Sequence, residues 1–158
     1  MSVANEHLAT SLIDEIINDF IKEKFLNDGN KHIAITSTVG DESHNLGIKI
    51  VGKFLESNGF SVKNLSSKIS SKELINSIYT LNPDLVVLSV TLSSNVATLQ
   101  EIVKELKKDS NLFSGKIIIG GQGLFSEDKI INIKEADFCS RNLEELKEFL
   151  ILHNPIKS

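Results

Sequence analysis

Cysteine is nearly absent from this chain of 158 residues: Cys139 stands alone, beside a single tyrosine, Tyr79, and no tryptophan. One thiol rules out an internal disulfide and leaves no zinc-ribbon spacing, so a reducing compartment is expected. Excess positive charge is also lacking. Lysine and arginine number 17 against 21 acids, a formal charge of −4, which argues against direct nucleic-acid binding and turns attention to small molecules or proteins as partners. No apolar run approaches the ~18 residues that span a bilayer, and Met1 to His7 lacks a basic patch leading into an apolar core. No membrane association and a soluble, cytoplasmic protein are therefore expected. With 41% hydrophobic and 24% charged residues, the chain suits one globular core.

Periodicity orders what is present. Leu8, Leu12, Ile13, Ile16, Ile17, Phe20, Ile21 and Phe25 recur at spacings of three and four, one stripe of an amphipathic helix that Asn27 to Asn30 ends. Beyond it strands and helices alternate. Strands are expected over Ile33–Ser37, Phe60–Leu65, Leu85–Val90, Lys116–Ile119 and near Asp137–Cys139. Helices are expected over Leu46–Ser57, Ser70–Leu81, Asn95–Lys108 and Leu143–Leu152, with a weak helical turn around Ser126–Ile131. Leu85 to Val90 is nearly all apolar, as a central parallel strand buried on both faces requires. This alternation predicts an α/β fold, a doubly wound five-stranded parallel sheet of flavodoxin-like, Rossmann-like order with one extra N-terminal helix. The implied division is a helix over 1–29 and an α/β domain over 30–153.

In such a sheet the switch point lies between the first and third strands, and ligands sit there at the carboxyl ends. The stretch Val39 to Gly47 should face Ser89 to Ser94, with Gly120 to Gly123 beside them. Phosphate is a poor match for a loop with Asp41 and Glu42 but only Gly40 and Gly47. A flavin could use the hydroxyls of Thr36, Ser37 and Thr38, but the chain has no tryptophan and its one tyrosine falls mid-helix. A phospho-acceptor receiver needs an aspartate where Ser89 stands and a lysine where Ser140 stands. His44 with Glu42 fits a metal ligand and its orienting carboxylate. It equally fits a solvated histidine beside acids that complement a helix dipole. Gly120-Gly121 would let a bulky planar ligand approach the backbone, or would form an ordinary turn. Ser89, Thr91, Ser93 and Ser94 place hydroxyls at the tip of the central strand, for the polar tail of a cofactor or, at Ser94, for capping the next helix.

Taken together, Glu42-Ser43-His44-Asn45-Leu46-Gly47, Ser89-Val90-Thr91 and Gly120-Gly121 resemble, in order and spacing, the three-part signature of cobalamin (corrinoid)-binding domains: acid-x-His-x-x-Gly, Ser-x-Leu and Gly-Gly. The resemblance spans roughly Lys31 to Leu152. It implies cobalamin as cofactor, in its adenosyl-, methyl- or hydroxocobalamin form, held base-off with His44 as the lower axial ligand of cobalt. The displaced dimethylbenzimidazole then slides down the crevice. Glu42, Val87-Leu88-Ser89, Gly120-Gly121-Gln122-Gly123 and the segment Val3 to Thr10 look most like the cobalamin-binding domain of light-dependent MerR-type transcriptional regulators and their stand-alone relatives. By that likeness Glu6 and His7 become contacts to the upper face of the corrin.

Two departures qualify the resemblance. Thr91 stands where the wider family has leucine, and the first helix corresponds to the last of a four-helix bundle, leaving the upper face open to a protein partner or to self-association. The resemblance implies a non-enzymatic sensory or regulatory module. Its alternative is a corrinoid carrier subunit that passes a methyl group to a methyltransferase, and a third reading is a domain that keeps the fold without the ligand.

Overall fold

The structure is a computed structural model and describes residues 32–40, 46–65, 69–125 and 130–153. Five parallel strands form one sheet in the order β2-β1-β3-β4-β5. They are β1 His32–Thr38, β2 Phe60–Asn64, β3 Leu85–Ser89, β4 Lys116–Gly120 and β5 Phe138–Ser140. Among the described residues four α-helices accompany them: α1 Leu46–Ser57, α2 Ser71–Leu81, α3 Val96–Leu106 and α4 Leu143–His153. The doubly wound sheet expected from the alternation is present, with its switch point between β1 and β3. The stripe of Leu8 to Phe25, and with it Glu6 and His7, lies outside the described residues.

Both faces of the sheet are covered because successive side chains of a strand alternate between them. Val86 and Leu88 of β3 join Ile117 and Ile119 of β4 in a core closed by Leu74 and Ile78 of α2 and Leu99, Ile102 and Val103 of α3. Leu85 and Val87 point the other way, with Ile118, toward Ile48 and Leu55 of α1 and Leu146 and Phe149 of α4. α1 and α4 therefore flank one face, and the functional cavity opens between them.

Local chemistry sets several element ends. Ser70 accepts from the Glu73 N–H at 3.1 Å while its own N–H donates to Glu73 Oε2 at 3.2 Å, a reciprocal cap that starts α2. Asn82, left-handed at φ 45°, closes that helix by donating to the Ile78 carbonyl at 2.8 Å. At the amino ends of the strands a buried carboxylate, Asp84, accepts from the Ile33 N–H at 3.0 Å. Asp137 does the same for Ile117 at 2.7 Å and holds Lys107 at 2.7 Å. Asp84→Ala should cost about 1–3 kcal/mol, because it strands a donor that is partly buried. Asp84→Asn should recover most of the loss. Chemical denaturation would compare the three proteins, and equal stability of Asp84→Ala and wild type would refute the role.

One local expectation needs correction, and another, the turn expected around Ser126–Ile131, falls mostly on residues 126–129, outside the described residues. Ahead of that stretch Gln122–Leu124 form a 3-10 turn, and Phe125 bridges antiparallel to Ile130. The glycines ahead of it redirect the chain at once, so the turn begins where β4 ends. Ser94 does not cap α3. Ser93–Asn95 form a 3-10 turn, and Asn95 enters the helix at φ −95° and ψ 0° with no side-chain cap. The chain is already coiled from Ser93, so the extended geometry that a capping hydroxyl uses falls to Leu92, at φ −100° and ψ 131°, which has no hydroxyl.

Candidate functional site

Strand register brings the candidate residues together. Thr38 pairs with Ser89, Ser89 with Gly120, and Gly120 with Ser140. These four residues form one row across the carboxyl ends of β1, β3, β4 and β5. Neighbours in a parallel ladder point to the same face, here the α1–α4 face, since Ala34, Val87, Ile118 and Phe138, two or four residues earlier on the same strands, belong to that core or pack against it. The result is a line of hydroxyls interrupted by one glycine.

Above this row lies a cavity of about 330 Å³. Gly47, Ile50 and Val51 of α1 form one wall, Ser140, Asn142 and Leu146 from β5 and α4 the opposite wall, and Ser89, Gly120 and Gly121 the rim of the floor. Its depth is apolar, through Val87 and Ile118. A slot of this kind accepts a flat, largely apolar ring and offers polar groups only at the mouth.

The glycines of the site serve different ends. A Cβ at Gly47 would meet nothing within 4 Å, so this glycine keeps the α1 wall open. A Cβ at Gly121 would stand 2.2 Å from the Val90 carbonyl oxygen, and the residue sits at φ 103° and ψ 155°. The tight approach of β3's exit to β4's exit is what demands glycine there. Val90 N–H donates to the Gly120 carbonyl at 3.0 Å and Gly123 N–H to the Val90 carbonyl at 2.9 Å, tying the two tips into one ledge. Val39 N–H donates to the Ser89 carbonyl at 2.9 Å, and Gly40 packs against the Asn95 side chain, so the β1 tip joins the same ledge.

Of the candidate residues, Gly47, Ser89, Gly120 and Gly121 line the cavity. Leu46 opens α1 beside it, while Thr91, Ser93 and Gln122 lie on the adjoining ledge and do not line it. Glu42, Ser43, His44 and Asn45 fall outside the described residues, in the segment joining β1 to α1. Among the described residues no group of three or more His, Cys, Asp or Glu side chains is placed to hold a metal ion.

The hydroxyls of Thr36 and Thr38 are buried and have no hydrogen-bond partner among the described residues. Thr36 Oγ1 faces α1, lying 3.9 Å from where a Gly52 Cβ would be, and Thr38, two residues on, shares that face. Buried hydroxyls without partners are costly, and their place beside the slot fits a ligand with hydrogen-bonding groups near its ring.

Sequence reading missed the β5–α4 wall. Ser140 Oγ donates to the Asn142 carbonyl at 2.7 Å, Asn142 Oδ1 accepts from the Glu145 N–H at 2.9 Å, and Glu145 Oε2 accepts from the Arg141 N–H at 2.9 Å. The legible signal was Asn142 three residues before Glu145, a helix-start pattern. Beside this wall, burial pushes the Cys139 thiol pKa up; Glu145 adds to the shift and Arg141 opposes it.

A flavodoxin-like sheet with a ligand slot at the carboxyl ends of its central strands defines a class of small-molecule-binding domains. Within that class residues 33–143 match the B12 binding domain family, and the chain belongs to that family, whose cofactor is cobalamin. Dimethylamine corrinoid protein 1 of Methanosarcina acetivorans is 25% identical over 120 residues, 75% of this chain and 56% of that protein. Dimethylamine corrinoid protein 3 of Methanosarcina mazei is also 25% identical, over 75% of this chain and 72% of its own length. The chain thus spans little more than half of most of the curated relatives it matches. In fold it resembles the monomethylamine corrinoid protein of Methanosarcina barkeri, with a TM-score of 0.70 at 20% identity, covering 88% of this chain and 64% of that one. A cobalamin-binding protein from Desulfitobacterium hafniense DCB-2 gives 0.68 at 22% identity, over 99% and 72% of the two chains. These likenesses run to corrinoid proteins rather than to MerR-type regulators. Among the described residues no helix is long and apolar enough to cross a membrane.

Proposed function

We propose that the chain is a corrinoid carrier: it binds cobalamin base-off, with His44 as the lower axial ligand of cobalt, and presents the cofactor to a methyltransferase. The carrying observation is the slot between α1 and α4, whose rim glycines and Ser89 belong to the segments that resemble the corrinoid signature. Bound cobalamin supplies a cobalt–carbon bond on which a methyl group is held and from which it is handed on. The chain's own residues do the holding. Gly47 leaves the α1 wall open to the nucleotide tail, Ser89 and the buried hydroxyls of Thr36 and Thr38 meet its polar groups, and the apolar floor excludes water from the ring. In sequence His44 falls between Thr38, where β1 ends, and Leu46, where α1 begins beside the slot. Glu42, two residues earlier, orients it by accepting its second N–H.

The relatives' names favour the carrier over the sensory or regulatory module that the likeness of Val3 to Thr10 raised. Under that second reading, Glu6 and His7 lie against the upper face and light alters the complex. Mixing the protein with hydroxocobalamin should give a stoichiometric complex with an altered absorption spectrum. His44→Ala should lose the histidine-ligated spectrum and weaken binding by roughly a hundredfold, the upper end of what the loss of a supporting partner costs. An unchanged spectrum in His44→Ala would defeat the ligand assignment. A methylcobalamin complex that is demethylated by a methyltransferase in the dark supports the carrier, whereas one altered only by illumination supports the sensor.

A further inference from the structure

Asn58, just past the end of α1, is followed by Gly59, and every other asparagine of the chain precedes a residue with a side chain. The turn joins α1 to β2, with Asn58 exposed. Its hydrogen bonds are few and local. The last carbonyls of a helix lack intrahelical partners, and here Asn58 Nδ2 supplies one, donating to the Phe54 carbonyl at 2.8 Å and to Ser57 Oγ at 3.3 Å. Ser57 Oγ donates to the same carbonyl at 2.6 Å. The main-chain N–H groups of Asn58 and Gly59 donate to the Leu55 and Glu56 carbonyls at 3.0 and 3.2 Å. Gly59 turns at φ 95°, and a Cβ on it would meet nothing within 4 Å, so the turn is open on that side. An asparagine amide is most exposed to attack by the next main-chain nitrogen when that nitrogen belongs to glycine, which has no Cβ to crowd the approach.

We infer that Asn58 is a site of spontaneous covalent modification, converting to aspartyl and iso-aspartyl forms when the last turn of α1 opens and loosening that turn once converted. The Gly59 nitrogen, after giving its proton to base, attacks Asn58 Cγ. The N–Cγ bond forms and the Cγ–Nδ2 bond breaks, so that ammonia leaves and a cyclic imide remains. Water then opens either carbonyl of the imide, giving aspartate or its iso-aspartyl isomer. In the closed turn the step is held off, because Asn58 Nδ2 is tied back to Phe54 and the Gly59 N–H to Glu56. Exposed ends of helices open at small free-energy cost, and that opening sets the rate. The product cannot restore the cap. A carboxylate has no proton to give the Phe54 carbonyl, and it adds negative charge where the helix dipole is already negative. The iso-aspartyl form also lengthens the main chain by one carbon between Leu55, wholly buried, and Phe60, which pairs with His32. Because α1 is one wall of the slot, a converted chain carries a looser wall.

Peptide mapping by mass spectrometry follows every asparagine of the full chain during incubation at neutral and mildly alkaline pH, both native and unfolded in urea. Asn58 should convert first, faster as pH rises, and more slowly in the native chain than in the unfolded one. The native slowing should match the protection of the Gly59 N–H measured by hydrogen exchange. An Asn58 that stays intact in the native chain while the unfolded chain converts fully, or that converts equally fast in both, would overturn the inference. Gly59→Ala, compared in the unfolded chain so that folding does not enter, should slow conversion, and an unchanged rate would exclude attack by that nitrogen. Asn58→Asp stands for the product. Its melting temperature should fall by roughly 2–4 °C, with Asn58→Ala between it and wild type, and added salt should narrow the gap between the two variants. Asn58→Asp as stable as wild type would show that conversion does not loosen the turn.

Discussion

Replacing Gly121 by alanine should lower the melting temperature by about 10 °C and abolish cofactor binding with it. The backbone there, at φ 103° and ψ 155°, occupies a region that only glycine visits without strain, at about 1–3 kcal/mol for any other residue. An added Cβ would stand 2.2 Å from the Val90 carbonyl oxygen and 2.8 Å from Val90 C and N. Main chain cannot swing aside as a side chain does, and Val90 is held on both sides by its bonds to Gly120 and Gly123, at 3.0 and 2.9 Å. Strain and clash together reach about 3 kcal/mol or more, and each kcal/mol moves the midpoint of a domain of this size by roughly 2–4 °C. Relief has to come from moving the β4 tip, which carries Gly120 and faces Ser89 and Ser140 across the row. Thermal unfolding followed by circular dichroism measures the effect. A shift under about 3 °C would show that the ledge yields easily.

Gly47→Leu should do the opposite: keep or raise stability while reducing cobalamin affinity by two orders of magnitude or more. Gly47 lies in the first turn of α1 with nothing within 4 Å of an added Cβ, so the protein itself has no contact to lose. Leucine improves helix propensity there by up to about 1 kcal/mol. The added isobutyl group enters a slot of about 330 Å³ from the α1 wall, and a close-packed ligand has no room to share. Calorimetric titration with hydroxocobalamin beside a thermal melt separates the two effects. Wild-type affinity in Gly47→Leu would move the ligand out of this slot. These two glycines look alike in a motif, yet one serves the protein's own packing and the other serves the ligand.

Much of this was legible from local chemistry. The continuous apolar run of β3, the helix stripes and stops, and the alternation of the two led to the doubly wound sheet, because burial on two faces and helix periodicity are written residue by residue. The linked segments around His44, Ser89 and Gly120 led to a corrinoid site through their resemblance to a family signature, and the pairing of Thr38 with Ser89 and of Ser89 with Gly120 brings the strand ends beside them into one row. Less legible was whether a glycine answers to a ligand or to a neighbouring strand. Gly121's demand comes from Val90, 31 positions away in sequence, and appears only when β3 and β4 are in register.

The wall formed by Ser140, Asn142 and Leu146 was missed for the same reason. Nothing in a short strand followed by an acidic helix marks a ligand site until β5 pairs with β4 and sets Ser140 opposite Gly120. Composition and periodicity thus dictated the layers and the helix ends, since these depend on patterns within single segments, while the class of cofactor came from the resemblance of three short motifs to a family signature. Which side chains share the slot follows from pairings between strands far apart in the chain, and such contacts exist only once the sheet has closed.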